Sequence, residues 1–325
     1  MKKWKYLLTG LFILSLFISL WIADRRDSEQ YSQTEYFLNT RCVIRVQGRD
    51  NNGNVEQAVQ SAFEEVAEIH RLTDYYSETS DVNRINTAAG GESVTINFRT
   101  VEILRIALEI CEQSEGAFDI TIAPVKDLWN FSGEPVLPRK EDISRELERV
   151  DWRGIVLDME NLQVSKQSDD VRIDLGGAAK GYAADRAVEV LRNAGIAAAM
   201  LDFGGNVVVF GDNKKTKDGT WRIGLQKPFA PVGEYNQKLS LRNKAVVTSG
   251  SYEQNFEQNG KRYHHILDPK TGFSAEPGFD SVSVVHSSSL TADCLSTACF
   301  VLGEEKGREL AKRYDAEIYF DSKEN

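Results

Sequence analysis

The sequence predicts an α+β fold in which layered mixed and antiparallel sheets pack with helices, preceded by an N-terminal membrane-anchor helix. With 325 residues, of which 41% are hydrophobic and 27% charged, the chain can bury a full core. Between residues 198 and 248, short segments that alternate apolar and polar residues follow one another across short turns, which favours sequential strands over a regular βαβ repeat. From Tyr36 onward no Pro-rich linker, low-complexity tract or repeat interrupts the chain, so we predict one folded unit over residues 36–325.

The first 35 residues differ in composition from the rest. Three lysines within the first five residues precede an uncharged apolar run at 6–23. This length is near the lower limit for a membrane-spanning helix, and the lysines favour a cytoplasmic N-terminus. A cleaved secretory signal is the alternative, but residues 20–23 lack a small-x-small cleavage site, and no nearby Cys marks a lipoprotein. We therefore predict a signal-anchor helix and a polar tether (24–33) within residues 1–35, with the folded unit on the extracytoplasmic side of the cell membrane.

Periodicity assigns the elements of the folded unit. Apolar residues spaced as on one helix face predict helices at 55–72, 99–116, 179–192 and 292–302, the third closed by Gly195. Alternation with period two predicts strands at 40–47, 171–175, 198–201, 207–210, 221–226, 237–241, 245–248, 265–267 and 281–286.

Charge and cysteine content exclude two classes of function. A net charge of -10 and a pI near 5.1 argue against a nucleic-acid partner, because phosphate backbones are met by surplus Lys and Arg. Cys42, Cys111, Cys294 and Cys299 are widely scattered, and their spacing matches no zinc site. We expect buried free thiols or one disulfide.

The segment from Asp174 to Tyr182 (DLGGAAKGY) is the most informative motif. It predicts a strand that passes through Gly176 and Gly177 into a helix start, where backbone N–H groups and the helix dipole suit a phosphate group. Asp174 and Lys180 flank this point with opposite charges. The pattern is neither a dinucleotide fingerprint nor a P-loop, and a tight turn that uses Gly only for its backbone freedom is the alternative.

Two oxygen-bearing side chains mark a second candidate site. Asp293 and Thr297 are four residues apart on a predicted helix and therefore share a face. One carboxylate and one hydroxyl form half of a site for a hard cation such as Mg²⁺, which takes its other oxygens from water and substrate phosphate. Ordinary helix-start chemistry is the alternative interpretation.

Other segments contribute further candidates. Phe118 and Trp129 offer surfaces that stack on an aromatic ring, with Asp119 as a nearby acceptor, although aromatic residues beside a Gly and a Pro are commonly core. His264 and His265 are neighbours in a predicted strand, so only one of them is expected to face a ligand. The small-residue loop predicted at 248–251 offers hydroxyls and amides to phosphate. No Gly-x-Ser-x-Gly elbow indicates an acyl-transfer triad.

Taken in order, these segments resemble the ApbE family, the magnesium-dependent FAD:protein FMN transferases. The matching segments are 38–40 (LNT), 80–86 (SDVNRIN), 116–121 (GAFDIT), 174–182, 204–206, 221–224 with Pro228, 248–250, 265–272, and 292–293 with Thr297. Their common order over about residue 36 to the C-terminus carries the specificity, since each motif alone is weak.

The resemblance implies that FAD lies between the segment around Phe118, the glycine turn and the segment at 265–266. The residues it implies as FAD contacts are Leu38, Tyr76, Ala117, Phe118, Asp119, Asp174, Lys180, Thr248, His265 and Ile266. It implies that Asp293, Thr297 and the backbone of Gly177 hold Mg²⁺, and that Asp293, Lys180 and His265 are the catalytic residues. Tyr75 and Tyr76 are alternatives for one position, because this segment is one residue longer than is usual in the family.

The implied activity is the Mg²⁺-dependent transfer of FMN from FAD to a threonine hydroxyl of a target protein, with release of AMP. The expected partners are threonine-bearing flavoproteins of membrane or surface redox systems. The threonine proton passes to a carboxylate or to His265. The alternatives are an FAD pyrophosphatase that gives FMN and AMP, and a flavin-binding protein without turnover. The chain departs from the family pattern at Leu38-Asn39, where Met-Gly is usual, and at Ala178, where Ile is commoner.

Overall fold

The computed structural model describes residues 30–47 and 54–322. Its helices are α1 (Asn54–Thr73), α2 (Asp81–Thr87), α3 (Phe98–Gln113), α4 (Ala123–Trp129), α5 (Lys140–Leu147), α6 (Ala179–Asn193), α7 (Ser289–Leu302) and α8 (Glu304–Arg313), with a 3-10 turn at Trp152–Gly154. The predicted membrane anchor lies outside the described residues. Within the described ranges, no helix combines the length and apolar character that a membrane crossing requires.

The strands form one large sheet and three small ones. The strands are β1 (Gln30–Phe37), β2 (Thr40–Gln47), β3 (Val94–Thr95), β4 (Ile155–Asp158), β5 (Gln163–Lys166), β6 (Ala198–Phe203), β7 (Asn206–Phe210), β8 (Trp221–Gln226), β9 (Tyr235–Leu241), β10 (Lys244–Gly250), β11 (Asn255–Gln258), β12 (Lys261–His264), β13 (Phe279–His286) and β14 (Glu317–Ser322). The large sheet has the order β1-β2-β6-β7-β10-β13-β14, and the small sheets are β3-β5-β4, β8-β9 and β11-β12. Every pairing among these strands is antiparallel. The predicted α+β class is confirmed.

The large sheet is covered on both faces. On one face Val208, Val247 and Val284 belong to the main core, which the sheet forms with α1, α3, α6 and α7. On the other face Val209 and Val246 pack with the apolar side chains of the β8-β9 hairpin. Burial on both faces explains why consecutive residues of β10 and β13 are buried, instead of every second one.

Two tight hairpins bring loops to one end of the sheet. The β1-β2 turn uses Leu38 (φ 52°) and Asn39 (φ 56°), and the β6-β7 turn uses Gly204 (φ 61°) and Gly205 (φ 90°). Positive φ at both central residues matches the twist of the flanking strands. The two turns touch, because a Cβ at Gly204 would lie 2.1 Å from Thr40 Oγ1.

The strand prediction at 171–175 is wrong. Val171 and Ile173 are buried as the alternation predicted, but the segment pairs with no strand. Its backbone groups are met by side chains instead: Asn86 Nδ2 donates to Ile173 O (2.9 Å), Ile173 N donates to Asn86 Oδ1 (2.7 Å), and Lys166 Nζ donates to Val171 O (3.1 Å). The alternation of apolar and polar residues therefore predicts which side chains are buried, but it does not predict which backbone groups are paired.

Other boundaries also change. The predicted tether is too long, because β1 begins at Gln30 within the large sheet. No strand covers the predicted range 265–267, because β12 ends at His264. The predicted loop at 248–251 is mostly the last part of β10. Helix α7 begins at Ser289, so Asp293 lies in its second turn rather than its first. The short helices α2, α4 and α5, and α8, had no predicted counterpart.

Candidate active site

A cavity of about 340 Å³ opens between the hairpin turns, the start of α6 and the side of α7. All the residues that the sequence implied as FAD or metal contacts line this one cavity: Leu38, Tyr76, Ala117, Phe118, Asp119, Asp174, Gly177, Lys180, Thr248, His265, Ile266, Asp293 and Thr297. A larger cavity of about 580 Å³ contains His264 and none of them. Residues far apart in the chain therefore converge at the smaller cavity.

The glycine turn is shaped by side-chain clearance. Ala178 and Ala179 donate their N–H groups to Leu175 O (3.0 and 2.9 Å), which starts α6 directly after the turn. A Cβ at Gly176 would lie 3.0 Å from Asp174 Oδ1, and one at Gly177 would lie 3.0 Å from Phe118 Cε2. Neither glycine has a positive φ. Glycine is therefore needed here for close approach rather than for backbone freedom.

The Gly176 N–H, which the sequence predicted to donate to a phosphate group, already has a hydrogen-bond partner in the protein. Gly176 N donates to Asp174 Oδ1 at 2.6 Å, so this amide does not point freely at the cavity as the sequence suggested. Lys180 Nζ donates to Gly176 O (3.1 Å) and lies 3.7 Å from Asp293 Oδ1. The ammonium group thus spans the gap between the turn and α7, where it can neutralise a bound phosphate.

Oxygen donors meet where α6 and α7 cross. Asp293 is 4% exposed, and its Oδ2 accepts the Gly181 N–H at 2.9 Å. Thr297 Oγ1 lies 3.5 Å from Ser249 Oγ and 3.7 Å from the position that a Cβ on Gly177 would take. Oδ2 is therefore occupied by a backbone N–H, and Oδ1 faces the Lys180 ammonium 3.7 Å away at the cavity.

This donor set fits a hard cation. A carboxylate, a hydroxyl and a nearby backbone are oxygen ligands of the kind that Mg²⁺ takes. Within residues 30–47 and 54–322, no group of three or more His, Cys, Asp or Glu side chains is arranged to hold a metal. The site therefore suits an ion that draws most of its ligands from water and substrate rather than from a protein cage.

The two histidines face opposite ways, as predicted. His265 lines the cavity, whereas His264 places its Nε2 3.0 Å from Ala275 O and its ring edge-on to Phe300. Burial, reinforced by the charges near it, lowers the pKa of the His265 imidazole to about 3. Its Nδ1 has no hydrogen-bond partner among the described residues. His265 therefore lines the cavity as a neutral imidazole, while its Nδ1 is buried.

Of the predicted aromatic pair, only Phe118 lines the cavity. Trp129 lies in a separate aromatic cluster, stacked 5.7 Å from Phe131, and donates its Nε1–H to Gly272 O at 2.9 Å. The predicted stacking role of Trp129 is therefore wrong, and the alternative, that it is a core residue, is correct. Asp119 Oδ1 accepts from Thr121 N (2.8 Å) and Thr121 Oγ1 (2.6 Å). Burial raises the pKa of Asp119 in spite of these bonds.

The adjacent tyrosines differ in how their side chains are held. Tyr75 donates its hydroxyl to Asp127 (2.8 Å) and accepts from Arg172 Nη1 (3.0 Å). Tyr76 is 63% exposed, and its ring meets that of Tyr75 edge-on with centroids 5.1 Å apart. Both line the cavity. Tyr76 is the one whose ring is free to move onto a ligand.

The cavity wall also includes Thr248 of β10 and Leu38 of the β1-β2 turn. Thr248 lines the cavity, but its hydroxyl is hydrogen-bonded to Ser283 Oγ at 2.6 Å. Leu38 stands at positive φ in a turn where Asn or Gly is usual, which costs about 1 kcal/mol. Strain of this kind persists where surrounding structure or function requires the conformation.

Lys126 is a cavity residue that the sequence interpretation missed. It projects from α4 and forms an ion pair with Asp174 Oδ2. The signal available in the sequence was a lone lysine within the apolar run at 120–129 (ITIAPVKDLW). Burial opposes the charge on Asp174, but the Lys126 ammonium outweighs it and lowers the pKa of that carboxyl.

Substituting Lys126 by Met is expected to make stability depend on pH with a reversed sign. In the unsubstituted chain Asp174 has a depressed pKa, so its contribution to stability is present at neutral pH and is lost only in acid. Without Lys126 burial dominates, the pKa of Asp174 rises above its unfolded value, and the charged carboxylate destabilises the fold as pH increases. The difference in Tm between the two proteins should therefore widen from pH 4 to pH 8, and the difference in free energy of unfolding should reach about 1–3 kcal/mol after allowance for partial exposure.

The control is Arg222→Met, which breaks an exposed ion pair with Asp218 (2.8 Å). Its Tm should track that of the unsubstituted protein across the same pH range. A Tm difference for Lys126→Met that stays constant or shrinks as pH rises would show that Lys126 does not hold Asp174 in its charged form.

Comparison with known proteins agrees with this geometry. Residues 38–320 match the model of the ApbE family. An FAD:protein FMN transferase of Klebsiella pneumoniae is 33% identical over 300 residues, with 91% of this chain and 90% of the relative covered. One from Treponema pallidum is 32% identical over 311 residues, with 90% of this chain and 85% of the relative covered.

Solved structures show the same fold. The ApbE protein of Thermotoga maritima superposes with a TM-score of 0.81 at 30% identity, covering 90% of this chain and 94% of that one. The apo flavinyl transferase ApbE of Pseudomonas stutzeri superposes with a TM-score of 0.79 at 27% identity, covering 91% and 92%. The match to the family model extends over all the cavity residues, from Leu38 to Thr297. The chain therefore belongs to the ApbE family.

Proposed function

We propose that this chain is an FAD:protein FMN transferase that moves the FMN half of FAD onto a threonine hydroxyl of another protein and releases AMP. The observation that carries the proposal is the convergence of the implied FAD and cation contacts, from residue 38 to residue 297, in one cavity. The names of the similar transferases support the same reaction.

In the proposed reaction a threonine hydroxyl attacks the phosphorus nearer to riboflavin. A new O–P bond forms, the bond from that phosphorus to the bridging oxygen breaks, and AMP leaves with the electron pair. Bound Mg²⁺ would neutralise charge on the diphosphate. Asp293, Thr297 and the Gly177 backbone would hold this ion, and the Lys180 ammonium would stabilise the charge that develops on the leaving phosphate.

His265 is our candidate acceptor for the threonine proton. Its imidazole lines the cavity and is neutral, so one ring nitrogen has a lone pair that can accept a proton. A dianionic diphosphate beside the ring favours the protonated form, which moves the pKa towards the range useful for a general base.

We also propose that the enzyme works at the cell membrane, with its folded unit on the extracytoplasmic side. Support comes from the apolar run at 6–23 and the lysines before it. Its acceptors would then be threonine-bearing flavoproteins of membrane or surface redox systems.

Incubating the full-length chain with FAD, Mg²⁺ and a candidate acceptor tests the proposal. We expect the acceptor to gain the mass of FMN less one water on a threonine, in step with AMP release, and EDTA to stop both. Free FMN and AMP formed equally with and without acceptor would instead show a pyrophosphatase. Tight FAD binding that persists in EDTA, with no AMP released when Mg²⁺ is added, would show a carrier.

A further inference from the structure

The contact between α6 and α7 contains a half-buried carboxylate that does not line the 340 Å³ cavity. Asp185 Oδ1 accepts from Ser289 N at 2.8 Å, and its Oδ2 accepts from Leu290 N (3.0 Å) and from Ser288 Oγ (2.8 Å). These donors are the first N–H groups of α7 and the hydroxyl just before it. Asp185 itself belongs to α6, so its bonds connect one helix to the start of the other.

This contact is more than a helix cap. Helix α7 already has its own cap, since Ser288 Oγ accepts from Thr291 N at 3.2 Å. Burial raises the pKa of Asp185 even though backbone and hydroxyl donors favour its charged form. The first two N–H groups of α7, which the Ser288 cap does not reach, are thus accepted by a side chain of another helix.

The glycine turn and α6 meet α7 at three levels, each four residues from the next. At the first level Gly177 faces Thr297, with 3.7 Å from a Cβ built on the glycine to Thr297 Oγ1. At the second, Gly181 N donates to Asp293 Oδ2 at 2.9 Å. At the third, Asp185 binds Ser289. Because the helices run antiparallel with one turn between levels, a slip at one level displaces the others.

We propose that Asp185 is a positioning residue that sets the register of α7 against α6 and so holds Asp293 and Thr297 opposite Gly177. The inference rests on the proposed function, because it concerns the cation site of that reaction. Asp185 touches neither the cavity nor its ligands and acts only through the start of α7.

The test is Asp185→Asn in the full-length protein, with Mn²⁺ as the probe. Asparagine has one acceptor oxygen, and its NH₂ group opposes an N–H of α7. With FAD bound, we expect Mn²⁺ affinity, measured from the EPR signal of free Mn²⁺, to fall roughly tenfold or more, as for groups that orient metal ligands indirectly. FAD affinity in EDTA, measured by flavin fluorescence, should change by less than about twofold. Ser288→Ala removes one of the three contacts to Asp185, together with the Ser288 cap of α7, and should weaken Mn²⁺ binding less.

Asp81→Asn is the matched control. Asp81 is buried, and like Asp185 it caps a helix start: its Oδ2 accepts a backbone N–H from Asn97 (2.8 Å) and a hydroxyl from Thr100 (2.7 Å). That helix, α3, contributes no residue to the cavity. Asp81→Asn should lower Tm by an amount comparable to Asp185→Asn but leave Mn²⁺ affinity unchanged.

The outcomes separate the inference from the proposed function. Equal Mn²⁺ affinity in Asp185→Asn, Ser288→Ala and the unsubstituted protein would overturn the positioning role and leave the proposed reaction intact. Loss of Mn²⁺ affinity in Asp81→Asn as large as in Asp185→Asn would also overturn it, because general destabilisation would then explain the effect. Weaker binding in Asp185→Asn alone, together with no FMN transfer by the unsubstituted protein, would support the positioning role while refuting the transferase assignment.

Discussion

Replacing Gly181 by alanine is expected to lower the rate of FMN transfer roughly 100-fold and to destabilise the fold. A Cβ at this position would lie 2.3 Å from Ser289 O and 2.8 Å from Asp293 Cβ. The nearest atom is a backbone carbonyl, so no side-chain rotation relieves the clash, and α6 and α7 must move apart. Overpacking of this kind costs about 1–3 kcal/mol or more. A displacement of about 1 Å at the catalytic groups lowers the rate roughly 100-fold.

The measurements are the free energy of unfolding in urea and the rate of FMN transfer. The control is Gly154→Ala, because Gly154 is also buried but an added Cβ would make only ordinary contact, 3.6 Å from Val171 Cγ2. Gly154→Ala should retain transfer at close to the unsubstituted rate. If Gly181→Ala retained it equally well, the close approach of the two helices would have no part in building the site.

Substituting Asp293 by Asn is expected to lower transfer by about 10²–10³-fold while leaving the fold and FAD binding in place. The Asn oxygen can still accept the Gly181 N–H, so the contact between α6 and α7 survives. What is lost is the negative charge that would hold Mg²⁺ beside the diphosphate. We therefore expect the variant to have the residual activity of the unsubstituted enzyme in EDTA, and to respond to EDTA no further.

Two controls accompany this prediction. Asp315→Asn, at an exposed turn after α8, should leave the rate unchanged. Thr297→Ser keeps the hydroxyl beside Asp293 and should retain most activity, whereas Thr297→Val should lose it. Full EDTA-sensitive activity in Asp293→Asn would show that the cation is held elsewhere.

Much of the site could be predicted because its motifs are local. The glycine turn, the pair Asp293 and Thr297, and the opposed histidines each follow from spacing within a few residues. The resemblance to ApbE proteins then identified the set that shares one cavity. The long periodic helices α1, α3 and α6 were likewise predicted close to their observed bounds.

The errors have a common physical cause. Alternation at 171–175 correctly marked buried side chains, but the side chains of Asn86 and Lys166 satisfy backbone groups there instead of a strand. The indole ring of Trp129 could stack on a ligand, yet α4 directs it into a separate core cluster. Lys126, from the same helix, reaches the cavity instead. The local sequence pattern does not determine which face of a short helix points into the cavity.

The sequence by itself determined the α+β class, most of the regular elements and the chemical types gathered at the site, because these depend on periodicity and on motifs a few residues long. Only the tertiary structure decided which groups pair: Lys126 with Asp174, Gly181 with Asp293, and Asp185 with the start of α7. These partners are 48 to 112 residues apart in the chain. Their pairing depends on how closely two helices approach and in which register, which packing settles and local sequence does not encode.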